Sequence, residues 1–560
     1  AQSPLSGTYT VGSNIGDDFA SVSECIDSLE LKGVSAAVII RIDTGTFTEQ
    51  INIAAIAGLS STKTLTFVGK GNETVLQYTP TTANRTVVSV NGTSHIIFDS
   101  LQVRALGNYG IGFNLYGQAD SITIQHCFID LPSTSATYAN TGIANYAAND
   151  GTGTSETKGL NILNDSIAGG YIGIRLHGDL SVVNDFKIED NAVLDFGLLG
   201  MSLSSTKTIL VKGNEIASSV AGARSAITMW PTGTNISVLN NSVALGSAVN
   251  HTRVIQVAGG PGSGGSSWTN QCLIANNMVR YHGSQTSNVT GIYIKHVNYL
   301  KIYNNTVHMA SGGGVKSLWL DALSATGNTD VKNNNLSNAI TGGELLRVHG
   351  LYTAKIDYSN HYNSNGFRVW WKGTTHTTLA AYQSASLQDS NAVTVNPNFV
   401  STTDLRVDSS NAALDDRGTY VSEVTTDIDG ATRKNPNPDI GVNEFNARTD
   451  IAMGSLASPM HCVKLSFSVP ISIWIKNEGP YSVSNIPLTL IFNGTAAVNE
   501  THTGSIGPGD SALHTFAVSA DVSTAGLYGI KVYSNLRADQ DLSNDTGNFS
   551  IAATSLHVFT

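Results

Sequence analysis

The chain has 560 residues, of which 13% are charged and 41% hydrophobic, and its formal net charge is −11. This composition excludes a disordered chain, which needs more charge, and it excludes a collagen because glycine has no period of three. The acidic balance and the absence of a Lys/Arg cluster argue against nucleic-acid binding. They also argue against a tightly held polyanionic sugar, although a local basic groove stays compatible with them. No run of 18 apolar residues is present, so we expect no membrane-spanning segment.

The first residues are Ala1-Gln2-Ser3, without an initiator methionine. Removal of a signal peptide before residue 1 explains this start simply. We therefore expect the mature protein to be extracellular or at the cell surface.

A template of the form apolar, x, apolar, x, x, Asn, x, apolar recurs between residues 122 and 362. Earlier copies carry Cys127 and Asp165 at the Asn position, and the last, degraded copy carries Ser359. Chance alignment in an Asn-rich chain is the weaker explanation, because each Asn is followed two residues later by an apolar residue. The full copies have Asn191, Asn214, Asn241, Asn277, Asn305 and Asn334.

A second template, apolar-x-apolar, precedes most copies, as at Ile174/Leu176 and Ile292/Ile294. Each unit of about 25 residues then has two or three period-two strands and no helical period. Such strands lack the crossover helices of a doubly wound sheet, but they can stack as the coils of a solenoid with inward apolar columns. At each bend the Asn amide can bond the backbone and the Asn of the next coil. The pattern predicts an all-β solenoid with an Asn ladder.

These repeats resemble the right-handed parallel β-helix proteins of the pectate-lyase-like superfamily. Residues 45–53 are similar to the first coil of pectinesterase-like helices, and residues 19–31 resemble the short amphipathic helix that caps such cores. The resemblance implies a right-handed parallel β-helix over residues 1–400 with a short N-terminal helical cap. The catalytic motifs of pectinesterases and polygalacturonases are not found, so it says little about activity.

The periodicity fades after about residue 365. Residues 395–447 look like the closing segment of many secreted bacterial β-helix proteins, so we expect residues 401–448 to seal the open end of the solenoid. Oxygen ligands from this segment are candidates for Ca²⁺, the only cofactor considered, and turn-forming aspartates bonded to the backbone are the alternative. The carboxylates in question are Asp427, Asp429, Asp439 and Glu444.

Residues 449–560 contain strand-like runs separated by turn signals, at 471–475, 487–491, 514–518 and 528–532. This pattern predicts an immunoglobulin-like β-sandwich. The runs 475–479, 504–510 and 541–545 resemble the adhesion-type CARDB domains. That resemblance implies export by the type IX route of Bacteroidota, although the usual type IX sorting domain is not evident.

The outward positions of the second template predict the best candidate groove. Consecutive coils bring Lys295, Asp321, Arg347 and His349 within two rungs, about 10 Å. A lyase needs a cation to neutralise a uronate and a base to take the neighbouring proton, and the three basic residues can supply them. A hydrolase needs two carboxylates, and Asp321 has no obvious neighbour of that kind. The rings expected to stack on sugars are Trp230, Tyr293 and Trp319.

Low charge, missing catalytic motifs and the adhesion-like tail favour a structural or adhesive surface protein, self-associating into a filament or surface layer. The alternative is a secreted polysaccharide lyase acting on an outer face of the β-helix. A weaker option is passive glycan binding through the three rings. A solvated strand face of mixed polar residues explains the groove without any function.

Overall fold

The computed structural model describes two compact units. One comprises residues 1–406 and 416–444, and the other comprises residues 407–415 and 445–560. Neither described helix has the length and hydropathy that crossing a bilayer requires. The described residues are 3–132, 136–146, 156–178, 183–230, 235–247, 249, 251–259, 272–285, 288–322, 326–409, 411, 413–445, 449–460, 462–479, 481–536, 539 and 541–555.

The first unit begins with a short helix among strands. Ser21 caps the helix by accepting a hydrogen bond from the N–H of Glu24, and Gly33 ends it with φ of 68°. Its buried face includes Cys25 and Leu29, which belong to the solenoid core. The elements are β1 (Leu5–Val11), α1 (Val22–Lys32), β2 (Val34–Ile42), β3 (Gly45–Thr48), β4 (Ile51–Ile53), β5 (Leu65–Tyr78), β6 (Thr86–Asn91), β7 (Ile96–Ala105) and β8 (Ile111–Tyr116).

The described chain then repeats a three-strand coil nine times. These strands are β9 (Thr123–Gln125), β10 (Phe128–Asp130), β11 (Thr141–Ala144), β12 (Asn161–Leu163), β13 (Ser166–Ala168), β14 (Ile172–His177), β15 (Phe186–Glu189), β16 (Ala192–Leu194), β17 (Leu199–Ser204), β18 (Thr208–Lys212), β19 (Glu215–Ser218), β20 (Ser225–Trp230), β21 (Asn235–Leu239), β22 (Ser242–Leu245), β23 (Arg253–Ala258), β24 (Cys272–Ala275), β25 (Met278–Tyr281), β26 (Thr290–Lys295), β27 (Leu300–Tyr303), β28 (Thr306–Met309), β29 (Lys316–Asp321), β30 (Thr326–Lys332), β31 (Asn335–Asn338), β32 (Glu344–Val348), β33 (Tyr352–Asp357), β34 (Asn360–Asn363) and β35 (Val369–Trp371).

Each strand pairs in parallel with its counterpart one coil away, which confirms the predicted solenoid. The first two strands of each coil join a 23-stranded sheet, here sheet A, and the third joins a 13-stranded sheet, here sheet B. The registers place like positions on one another: Ile188 pairs with Val211, and Val211 pairs with Val238. These columns are fully buried and form one continuous core.

The Asn ladder lies at the bend between the two sheet A strands of each coil. From Asn191 to Asn334, each Nδ2 donates to the Oδ1 of the next ladder Asn at 2.9 Å. Each backbone N–H donates to the same oxygen, and each Nδ2 also donates to a backbone carbonyl, as Asn241 does to Val211 at 3.0 Å. The predicted ladder is therefore present, and its amides are satisfied within the buried bend.

The residue before each ladder position has left-handed backbone. Its φ is 58° at Asp190, 70° at Gly213 and 56° at Asn240. One left-handed residue per coil turns the chain sharply between two sheet A strands. The same conformation recurs at the bends before Cys127, Asp165, Asn277, Asn305, Asn334 and Ser359.

A column of glycines marks the second residue of several sheet B strands. A Cβ on Gly173 would lie 2.3 Å from Cγ1 of Val193 and 2.7 Å from the carbonyl oxygen of Gly200. Gly142 and Gly200 meet equivalent neighbours on their own coils. The backbone at this corner approaches the side chains of sheet A too closely for most residues.

The C-terminal end of the solenoid core lies at β35. It is covered by β36 (Thr374–His376), which pairs antiparallel with β35, and by α2 (Leu379–Ser386). Tyr382 of α2 is fully buried and belongs to the solenoid core. The rings of His361, Trp371 and His376 surround the Tyr382 ring at 6.1, 5.9 and 6.5 Å.

Residues 416–444 lie along the flank of sheet A. Val421 and Val424 pack on Tyr303, and Asn333 of the ladder bend exchanges hydrogen bonds with the backbone of Thr419 at 2.8 and 2.9 Å. Buried Arg433 donates to Oδ1 of Asn276 at 2.8 Å. The segment covers several coils from outside because these bends present side-chain amides to it.

The second unit is a sandwich with its own core, as predicted. A three-stranded sheet has the order β37-β39-β42, and a five-stranded sheet has the order β38-β44-β43-β40-β41. Ile473 and Ile475 are buried while Trp474 between them is exposed, the alternation of a half-buried strand. The strands are β37 (Ile451–Ser458), β38 (Cys462–Lys464), β39 (Val469–Asn477), β40 (Ile486–Phe492), β41 (Val498–His502), β42 (Ser511–Ala520), β43 (Gly526–Ser534) and β44 (Thr546–Thr554).

Candidate functional site

The outward face of sheet B carries a row of stacked rings and cations. The Arg253 guanidinium lies 3.8 Å from the ring centroid of Tyr293, whose ring meets Trp319 edge-on at 4.9 Å. Arg347 lies 5.5 Å from the ring of Trp319 and 4.6 Å from that of Trp370. We call these five residues the cationic–aromatic row; it follows the coil direction from β23 to β35.

Two predicted groove residues are engaged within this face. The Tyr293 hydroxyl, on a side chain that is 1% exposed, donates to Oδ2 of Asp321 at 2.6 Å. Burial raises the pKa of Tyr293, and its bond to Asp321 raises it further. Arg347 forms a two-point ion pair with Glu344, at 2.8 and 3.3 Å. Arg347 is thus paired and stacked rather than free to meet a ligand carboxylate alone.

The remaining predicted polar residues share one edge of the face. Lys295 pairs in register with Asp321, and the N–H of His349 donates to the carbonyl of Leu320 on the same coil as Asp321. Burial lowers the pKa of His296, which adjoins Lys295, Asp321 and His349. The structure therefore brings Lys295, Asp321 and His349 together at this edge.

The best-formed cleft lies next to the row and contains Trp230. It has a volume of about 440 Å³. Its floor comes from β17, β20 and β23, and its walls come from the turns just before these strands and from the turn that holds Tyr138. We call it the sheet B cleft; its lining residues are Tyr138, Leu198, Leu199, Arg224, Ser225, Thr228, Trp230, His251, Arg253 and Gln256.

Charge in the sheet B cleft has one sign. It contains two arginines and a histidine, and none of its ten described lining residues is acidic. Arg224 is exposed, whereas burial lowers the pKa of Arg253, which donates to Oε1 of Gln256 at 2.8 Å. A partly desolvated guanidinium still carries its charge and attracts an anion more strongly than a solvated one.

Rings suited to sugar stacking line the same cleft. Trp230 is 41% exposed and Tyr138 is 56% exposed, although large rings are usually buried. Tyr138 packs edge-on against Tyr171 at 5.4 Å, and the Arg175 guanidinium lies 5.4 Å from its ring. Exposed rings that are held in place by neighbours lose little conformational freedom when a ligand stacks on them.

The four calcium candidates are bonded to protein groups. Oδ1 of Asp427 accepts from the N–H of Asp429 and Ala431, and Asp429 pairs with Arg406. Oδ1 of Asp439 accepts from the N–H of Asp416 at 2.6 Å, and Glu444 pairs with Arg433 at 3.3 Å. These carboxylates stabilise turns and pair with the buried arginine. Turn-forming aspartates bonded to the backbone are the alternative to calcium ligands that the sequence also allows.

Column positions alone do not identify several residues of the face. The first residue of three sheet B strands also contributes to this face: Arg253, Lys316 and Glu344. Each lies three residues along the chain before the outward residue expected to carry the site. Tyr138, Arg224 and His251 lie in turns outside both templates. The sequence signal that points to the sheet B cleft is Trp230, because a large ring at an outward strand position is unusual.

Comparison with known proteins gives likenesses of fold. No protein-family model matches the chain, and no curated protein matches it. The Dettilon tailspike protein is 11% identical with a TM-score of 0.39, over 94% of this chain and 90% of its own. DFA-IIIase from Arthrobacter chlorophenolicus A6, in complex with GF2, is 12% identical with a TM-score of 0.35, over 70% of this chain and 89% of its own.

A third likeness concerns the second unit. The CARDB domain of a Pyrococcus furiosus protein is 22% identical with a TM-score of 0.17, over 19% of this chain and 95% of its own. These similarities carry no activity to this chain.

Proposed function

We propose that this chain is an extracellular adhesive protein whose solenoid holds an acidic glycan in the sheet B cleft. The observation that carries the proposal is the lining of the cleft: exposed Trp230 and Tyr138 beside Arg224, Arg253 and His251, with no acidic residue among the ten described lining residues. Rings bind the apolar faces of sugars, and guanidinium groups bind carboxylates in two-point contacts.

The dimensions fit a chain of sugars rather than a single one. Six coil-to-coil steps separate β17, at the cleft, from β35, at the end of the cationic–aromatic row. At ~4.8 Å per step this face is about 29 Å long. We infer that a glycan anchored at Trp230 extends along this face toward Trp319.

The test is binding of oligouronates to the purified full chain by calorimetry. We expect Trp230→Ala and Arg224→Ala each to weaken binding by roughly tenfold, because stacking and a charge-assisted contact are lost. Methyl esterification of the uronate carboxylates should weaken binding to the unaltered protein by a similar factor, since the anion is removed.

Arg41→Ala serves as the matched control, because Arg41 is an exposed arginine on β2, far along the chain from the cleft. This variant should bind like the unaltered protein. Equal affinity for acidic and esterified oligosaccharides, or full binding by both cleft variants, would refute the proposal.

A uronate lyase is the second candidate, and one observation favours it. His251 lines the same cleft as Arg224 and Arg253, so a base and two carboxylate-neutralising groups stand together. Such a base would take the proton next to the uronate carboxylate while the glycosidic C–O bond breaks, a carbon–carbon double bond forms and the leaving sugar oxygen takes a proton from water. Absorbance of the unsaturated product, abolished by His251→Ala, would replace the binding proposal with this one.

The proposal also includes membership of the pectate-lyase-like superfamily, type IX export and self-association into filaments. They rest on the sequence resemblances and on low charge. Sedimentation of the purified chain tests the last of them.

A further inference from the structure

A serine and a histidine lie side by side on the outward face of sheet B. Ser204 ends β17 and His177 ends β14 one coil earlier, and the two residues pair in register. Oγ of Ser204 lies 2.6 Å from Nδ1 of His177. This is hydrogen-bond distance, and a neutral imidazole accepts the serine hydroxyl hydrogen there. Both side chains are only half-buried, so a ligand on this face can reach them.

The backbone of His177 is held from the coil before it. Its N–H donates to Oδ1 of Asn145 at 2.7 Å, and Nδ2 of Asn145 donates to the carbonyl of His177 at 2.9 Å. Asn145 follows β11 and is fully buried. A base that is fixed in this way keeps its place beside Ser204, which activation of a nucleophile requires.

The charge beside the histidine favours its neutral form. Burial lowers the pKa of His177, and the positive charge of Arg175 lowers it further. Arg175 lies two residues earlier on β14, so it faces outward as His177 does. Its guanidinium is held over the ring of Tyr146 at 4.6 Å. The face thus offers a neutral base together with a cation that can stabilise an oxyanion.

Two lining residues of the sheet B cleft lie next to this pair. Ser204 pairs in register with Trp230 of the following coil, one step of ~4.8 Å away. The ring of Tyr138 lies 5.4 Å from the Arg175 guanidinium. A sugar stacked on Trp230 therefore has its edge, which carries the hydroxyl oxygens, close to Ser204.

We propose that Ser204 and His177 are the nucleophile and the base of an esterase that removes O-acyl groups, such as acetyl, from sugars in the sheet B cleft. The choice of an acidic glycan as substrate rests on the proposed function. An O-acyl ester fits this cleft better than a methyl ester of the uronate, because Arg224 and Arg253 need the free carboxylate.

The reaction has two steps. Oγ of Ser204 bonds to the ester carbonyl carbon while His177 takes the serine proton. The bond from that carbon to the sugar oxygen then breaks, and the sugar oxygen leaves with the proton from His177. In the second step His177 takes a proton from water, the resulting hydroxide bonds to the acyl carbon, and the serine oxygen leaves with that proton. The products are a carboxylic acid and the deacylated glycan.

The experiment measures acetate released from O-acetylated oligouronates by the purified full chain. Ser204→Ala and His177→Ala should each slow release by at least about a hundredfold, because the nucleophile or the base is lost. Ser237→Ala is the matched control, since Ser237 is a half-buried serine on β21 of sheet A, and it should release acetate normally. A serine-directed fluorophosphonate should add its mass to Ser204 in the unaltered protein.

Calorimetry with oligouronates that carry no acetyl group separates this inference from the proposed function. Ser204→Ala should bind them as the unaltered protein does, which also shows that the variant is folded. Oligouronate binding without acetate release, or release that Ser204→Ala retains, would overturn the esterase and leave the glycan-binding proposal standing. Release that depends on Ser204 but comes without oligouronate binding would support the esterase and refute the proposed function.

Discussion

Replacing Asn241 by leucine should lower the free energy of unfolding by about 4 kcal/mol. Asn241 is fully buried in the middle of the ladder. Its Nδ2 donates to the carbonyl of Val211 and to Oδ1 of Asn277, and its Oδ1 accepts two bonds from Asn214. Leucine leaves these partners unpaired inside the bend, where water cannot replace the lost amide. Urea denaturation followed by circular dichroism measures the change.

Asn235→Leu is the control, because Asn235 lies on the same coil, at the exposed start of β21. We expect this variant to change stability by less than about 0.5 kcal/mol. If Asn241→Leu costs no more than Asn235→Leu, the ladder contributes nothing measurable to the solenoid.

Replacing Asp165 by asparagine should stabilise the protein, and the gain should grow with pH. Asp165 occupies a ladder position, where its N–H donates to Oδ1 of Asn191 and its Oδ1 accepts from the N–H of Cys127. Its Oδ2 is buried without a partner, and burial raises its pKa to about 8. An asparagine would place a donor there, as the other rungs do, without the cost of ionisation.

The direction in which stability changes with pH follows from proton binding to Asp165. Below about pH 4 the carboxyl is protonated in both states, so the stability of the unaltered protein does not change on this account. Between about pH 4 and pH 8 the folded state keeps a proton that the unfolded state has lost, and stability falls by on the order of 1.4 kcal/mol per pH unit. Above pH 8 the loss is complete and constant.

Unfolding measured from pH 4 to pH 9 should therefore show Asp165→Asn gaining on the unaltered protein by on the order of 5 kcal/mol between pH 4 and pH 8. Asp195→Asn, an exposed aspartate one coil later, should show no such trend. A gain for Asp165→Asn that is the same at every pH would mean that the carboxyl is not buried in the folded protein.

The fold could be predicted because the apolar columns and the ladder repeat in sequence at fixed positions. Each ladder Asn has the same neighbours above and below, so one template describes six bends. The left-handed residue before it carries a sequence signal that the template did not use, because seven of the nine positions are Asn, Asp or Gly, which adopt that conformation most readily. At His126 and Tyr358 the tertiary structure imposes it on a less suited residue.

The candidate site could be predicted only in part. Trp230, Tyr293 and Trp319 were found because outward strand positions follow from the period of two. The walls of the sheet B cleft were missed, since they are turns whose conformation no repeat specifies. The ion pair of Arg347 with Glu344 was missed because an outward column does not show which neighbours along one strand meet.

The most direct measurement for the central claim is a structure of the protein with an acidic oligosaccharide bound. We predict a sugar ring stacked on Trp230 and its carboxylate between Arg224 and Arg253, with further sugars extending toward Trp319. An intact oligosaccharide bound elsewhere on the solenoid, or on the sandwich, would contradict the claim.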